Sequence, residues 1–181
     1  GSESGWSCSA AAARSKDTTG LTLAIDYPNT PVGDLLLKYN TSVITKYCHS
    51  GAPSNVIEVL NGHKTLSYSR SNTSKKEEIM DAIANGYGIN TCGGQGFGKG
   101  SGARDSNGFC KRSGSWSHAL AIIGIDDTPW AHQTYGDTLF LILNSWGAYL
   151  GSSRPHPQGN TSIPGIPKGS FWTTAKNFSG R

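Results

Sequence analysis

Three residue types that together perform thiol-based acyl transfer stand far apart in this chain: Cys8, His118 and Asn144. Cys8 heads Ser7-Cys8-Ser9-Ala10-Ala11-Ala12-Ala13, a thiol at the start of an alanine-rich segment. His118 follows Trp116-Ser117 at the mouth of the apolar run Ala119-Leu120-Ala121-Ile122-Ile123. Asn144 ends a second apolar run, Phe140-Leu141-Ile142-Leu143, and is followed by Ser145-Trp146-Gly147. A thiol attacks a carbonyl as its thiolate, starting from a pKa of ~8.5. The free N–H groups of a helix N-terminus and a nearby imidazolium both lower that value. The imidazole in turn needs its second nitrogen held. A neutral carboxamide suffices, because a thiolate–imidazolium pair already separates charge. Trp146 would shield that hydrogen bond from water and strengthen it. The chemistry such a set could do is acyl transfer through a thioester, with Cys8 as nucleophile, His118 as base and then acid, and Asn144 as orienter.

Such a site needs a helix under the thiol and strands under the other two groups. Residues Cys8 to Lys16 read as a helix, since alanine costs least there and no breaker intervenes. Asp26 to Gly33 reads as loop, and Val32 to Tyr39 and Ser54 to Leu60 as short helices. The clearest helix runs from Ser74 to Asn85. Ser74 and Glu77 form a capping box, Gly86 follows the end, and Ile79, Ile83 and Ala82 make the buried stripe. Tyr87 to Thr91 reads as a strand, and 93 to 115 as a long Gly-rich loop, a flexible wall of the cleft. Two core strands follow, at 118–125 and 138–144, separated by a polar insertion around Asp126-Asp127-Thr128-Pro129. A short strand near Gly169-Ser170-Phe171-Trp172 closes the chain.

Composition sets the class. With 181 residues the chain suits one compact domain or two small lobes. Hydrophobic content of 35% and 24 glycines favour a loop-rich α+β protein over a helical bundle. No apolar stretch approaches ~18 residues, so no membrane span is expected. The net charge of +4 is scattered, which gives no nucleic-acid footprint. Nor does the start carry the charged-then-apolar pattern of a signal peptide. Gly1-Ser2 is compatible with a chain that begins partway into a longer polypeptide. The four cysteines fit neither a dense disulfide scaffold nor a CxxC metal site. Cys92 and Cys110 flank the Gly-rich segment and are candidates for a bridge. Gly93 to Gly100 imitates a phosphate loop but lacks the closing Ser or Thr and a following helix. No metal or organic cofactor is implied.

His118-Ala119 in an apolar strand, followed by Leu141-Ile142-Leu143-Asn144-Ser145-Trp146-Gly147, resembles the C-terminal half of the papain-like cysteine proteases. Ser7-Cys8 at a helix start resembles their nucleophile segment. Cys48-His49-Ser50-Gly51-Ala52-Pro53 resembles the Cys-x-Gly-Gly-x-Pro stretch that lines their substrate cleft. The resemblance runs in order from Cys8 to about Gly147. It implies a two-lobed α+β fold within a single peptidase domain, a helical lobe of about 1–74 and an antiparallel β-rich lobe of about 75–181. It also implies a peptide or protein substrate, aligned by the Gly51 backbone with Ala52 and Ser117 beside it.

Departures are equally specific. The family has Gln six residues before its nucleophile, where this chain has Ser2 in the oxyanion-supporting position; one lost oxyanion donor costs ~10²–10³ in rate. The residue after the nucleophile is Ser9 instead of an aromatic. The half-cystine expected three residues before it is Gly5, which leaves Cys48 expected as a free thiol. The first lobe is short. Together these departures suggest a divergent branch, and the missing glutamine supports a second reading, an inactive papain-like module with a binding or structural role in a larger polypeptide or assembly.

Overall fold

In the computed structural model the chain divides into two units, Gly1–Arg70 and Ser71–Arg181. The structure describes residues 75–98, 101–144, 165–166 and 169–178, all in the second unit. Every expectation placed on residues 1–74, including the Cys8 helix, Ser2, Gly51 and Ala52, lies outside the described residues, as does Trp146. The described part is α+β: a four-stranded antiparallel sheet with two short helices.

Helix α1 spans Lys76–Ala84 and buries Ile79, with Met80 and Ile83 packed beside it. Its N-cap is Lys75, with no side-chain cap, and the capping-box serine expected there, Ser74, lies outside the described residues. The C-terminus follows the sequence closely. Gly86 adopts φ +80°, its N–H donates to the Ile83 carbonyl at 3.0 Å, and the Tyr87 N–H donates to the Ala82 carbonyl at 3.0 Å. These are the two bonds of a Schellman end, and they need the left-handed residue that glycine supplies.

The strands are β1 (Ile89–Phe97), β2 (Arg112–Asp126), β3 (Leu139–Leu143) and β4 (Ser170–Thr174), hydrogen-bonded in the order β1-β2-β3-β4. Inner strand β3 is an unbroken apolar run, Leu139-Phe140-Leu141-Ile142-Leu143, because both its faces are covered. Phe140 and Ile142 join Ile79, Phe97, Leu120, Ile122, Phe171 and Phe178 in the main core. Phe97 meets Phe171 edge-on with ring centroids 5.0 Å apart. Leu139, on the alternate face, packs with Phe109 and Ala131 in a smaller cluster.

The Gly-rich segment departs from the expected loop. Its first part extends β1 to Phe97, and its last part is the start of β2. Gly96 explains why glycine sits in a strand. A Cβ there would lie 2.5 Å from the Ser113 carbonyl oxygen and 2.8 Å from the Gly114 carbonyl carbon, so the two backbones approach too closely for a side chain. Between the strands, Ser101–Ala103 forms a 3₁₀ turn and Asp105 organises the rest. Its Oδ1 accepts the N–H groups of Asn107 and Phe109, both at 2.9 Å, and Tyr135 donates its hydroxyl to Oδ2 at 2.7 Å. This part of the expected flexible wall is therefore pinned. No α-helix lies between Phe97 and β2 among the described residues.

The polar insertion holds a helix, α2 (Pro129–Tyr135). Thr128 caps it by accepting the Ala131 N–H at 3.3 Å, Pro129 takes the first turn, and Gly136 ends it at φ +76°. The Thr-Pro start and Gly end are legible signals, but seven residues are too few for a convincing apolar period.

Candidate functional site

Side chains alternate along a strand, so His118, Leu120 and Ile122 of β2 project to one face. Leu120 and Ile122 belong to the main core, which makes His118 the polar end of a core-facing row. On β3 the same parity carries Phe140 and Ile142 into that core and Asn144 just past the strand end. The backbone holds this end firmly: the Asn144 N–H donates to the Gly169 carbonyl at 3.2 Å. The two apolar runs thus register, and their polar ends meet. His118 Nε2 lies 3.0 Å from Asn144 Oδ1.

That contact fixes the tautomer. A carboxamide oxygen only accepts, so Nε2 must carry the proton and donate it. In the neutral ring Nδ1 would then hold the lone pair, the arrangement a general base requires. Asn144 is 5% exposed, and its Nδ2 is buried without a hydrogen-bond partner. An orphaned buried donor costs roughly 1–3 kcal/mol. The side chain is held where its oxygen serves the imidazole while its nitrogen is left unsatisfied.

Irregularities in the ladder frame this corner. His118 pairs with Gly93 and Ser115 with Gln95, so β2 carries one residue more than β1 between the two pairs. This bulge falls at Trp116 and Ser117 and re-aims the chain next to the imidazole. The side chain of Ser117, expected to face substrate, lies outside the described atoms. Of the residues expected to build the site, the described structure brings together His118 and Asn144.

The cysteines depart from expectation. Cys110 is a free, fully buried thiol, whereas Cys92 is disulfide-bonded, so the two do not bridge each other. The physical reason is visible at Cys110. Its N–H donates to the Trp172 carbonyl at 2.8 Å, and its carbonyl accepts the Thr173 hydroxyl at 2.9 Å, which seats the side chain in the core. Cys92 is on the exposed side of β1. Burial pushes the Cys110 thiol up to about 12, with Asp105 adding to the rise and Arg104 opposing it. Cys110 is therefore expected to resist iodoacetamide in the native protein at pH 8 and to react fully after denaturation, read by peptide mass mapping. The shift favours the protonated folded state, so stability linked to this thiol is complete below about 9 and is lost as pH rises towards about 12. Cys110→Ala should flatten that alkaline limb in a denaturation series.

A second polar group surrounds α2. Asp127 accepts hydrogen bonds from Thr138 and from His132, the latter at 2.8 Å, which hold its carboxyl below the usual range. Both Asp127 and His132 are exposed, and the arrangement ties the helix to the start of β3. The sequence places Asp127 in the polar insertion between the two core strands. Among the described residues no group of three or more His, Cys, Asp or Glu side chains is placed to hold a metal ion. No described helix is long and apolar enough to cross a membrane.

Compared with protein-family models, with curated proteins and with solved structures, the chain matches none.

Proposed function

We propose that this chain is a cysteine peptidase of papain-like, two-lobed type, hydrolysing peptide or amide bonds through a thioester. The observation that carries the reading is the 3.0 Å contact from His118 Nε2 to Asn144 Oδ1 at the polar end of the core. It leaves the ring in the tautomer that takes a proton at Nδ1. Cys8 would supply the thiol, with the resulting imidazolium stabilising its thiolate. After attack on the scissile carbonyl, His118 would hand the proton to the departing amine, and water would then cleave the thioester. The Cys8 backbone N–H and Ser2 would face the oxyanion, Trp146 would cover the His118–Asn144 bond, and Gly51, Ala52 and Ser117 would align an extended substrate.

The chemistry requires Cys8 in reduced form. Of the four cysteines Cys110 is free, so the reading assigns the bridge of Cys92 to Cys48, contrary to the free Cys48 expected from the family pattern. A quenched-fluorescence peptide library is the direct assay. Cleavage that Cys8→Ala abolishes supports the peptidase; cleavage that survives Cys8→Ala, or none at all, removes it.

Ser2 in place of the family's glutamine favours a second reading, a papain-like module that binds peptides without cleaving them. Retention of library peptides by a protein that hydrolyses none of them would select it.

A further inference from the structure

Gln95 lies on the same face of the sheet as His118. Residues alternate along β1, so Thr91, Gly93, Gln95 and Phe97 project together; Thr91 and Phe97 are buried on that face, and Phe97 is part of the main core. Gly93 is the ladder partner of His118. Directly opposed residues in an antiparallel pair project the same way, with Cβ positions ~4.5–5.5 Å apart. A Cβ on Gly93 would lie 2.0 Å from Gln95 Oε1, 3.0 Å from its Cδ and 3.2 Å from its Nε2. The carboxamide of Gln95 is therefore folded back over Gly93, in the space where a side chain facing His118 would otherwise sit. Gln95 is only partly buried.

We propose that Gln95 is a substrate-positioning residue, its carboxamide hydrogen-bonding a peptide group of the substrate next to the scissile bond. The inference rests on the peptidase reading above and adds a residue that neither the sequence patterns nor the triad supplies. A carboxamide offers an acceptor oxygen and two N–H donors, the complement of a peptide group's own N–H and C=O. A peptide group that leaves water on entering a cleft loses free energy unless it finds such a partner. Glycine at 93 is what gives the carboxamide its place across the ladder from His118. Gln95 does not lie on the proton path, so its effect falls on substrate affinity.

Two variants test the role by different routes. Gln95→Ala removes the carboxamide. Gly93→Ala leaves it in the chain but drives it off with a methyl group, and the displaced atoms are the end of a flexible side chain, so the strand survives. With a quenched-fluorescence peptide as substrate, each variant is expected to raise KM about 10-fold, the worth of one hydrogen bond, with kcat within about twofold. The double variant should be no worse than Gln95→Ala. Inactivation by iodoacetamide, too small to span both groups, should stay within about twofold of the parent, because the thiol and imidazole are untouched. Unchanged KM in Gln95→Ala, with the parent active and alkylated at Cys8, overturns the inference and leaves the peptidase reading intact. Alkylation and hydrolysis falling in step would overturn it too, making Gln95 a support for His118. A parent protein that neither hydrolyses the peptide nor reacts at Cys8 overturns both readings together.

Discussion

His118→Ala is expected to lower peptide hydrolysis by about 10⁴-fold or more, with only a modest loss of stability. Removing one member of a nucleophile–base pair forfeits both the activated nucleophile and the acid for the leaving group, and what remains comes from binding and oxyanion contacts. The fold should tolerate the change, because His118 is the half-buried polar end of its row and Leu120 and Ile122 beyond it hold the core. Its loss does strip Asn144 Oδ1 of its donor, at a cost of roughly 1–3 kcal/mol if no water replaces it. The diagnostic readout is the pH dependence of thiol alkylation. In the parent, iodoacetamide should react well below pH ~8.5; in His118→Ala the profile should return to that of an ordinary cysteine. A merely structural histidine would lower the melting temperature without moving this profile.

Asn144→Ala is expected to lower kcat by about 10²-fold while changing stability by less than about 1 kcal/mol. The kinetic loss follows from tautomer and orientation: without Oδ1 the ring can turn, and Nδ1 is no longer singled out as the base. The stability result separates function from packing. Truncating a buried, fully bonded asparagine leaves partners unsatisfied, but Asn144 Nδ2 has no partner to lose, and removing it relieves a desolvation cost that offsets the lost bond to His118. Denaturant titration alongside steady-state kinetics reads both quantities. A loss of several kcal/mol with kcat unchanged would make Asn144 a packing residue.

Some elements were legible in the sequence for physical reasons that apply locally. The end of α1 follows from Gly86, because only a left-handed residue completes its two closing bonds. Strand β3 follows from five consecutive apolar residues, and the His118–Asn144 pairing from two apolar runs that must register with their polar ends level. The Gly-rich segment reads as loop because glycine usually marks loops, yet its ends belong to β1 and β2. At Gly96 it marks instead a backbone approach across the ladder, a non-local fact that no local pattern carries. The Cys92–Cys110 pairing failed for a related reason: spacing says nothing of which face a residue takes, and Cys110 turns into the core while Cys92 turns out. The position of the Gln95 carboxamide is not legible locally, because it depends on a glycine two residues away and on a partner in another strand.

The most direct test is iodoacetamide alkylation of the native, unreduced protein between pH 5 and 9, followed by peptide mass mapping. The expected result is a single labelled thiol at Cys8, reactive below pH ~8.5 in a manner that depends on His118, with Cys48 and Cys92 recovered as one bridged peptide and Cys110 unmodified. Cys8 found in the bridge to Cys92, or labelled no faster than an ordinary cysteine and indifferent to His118→Ala, would contradict it.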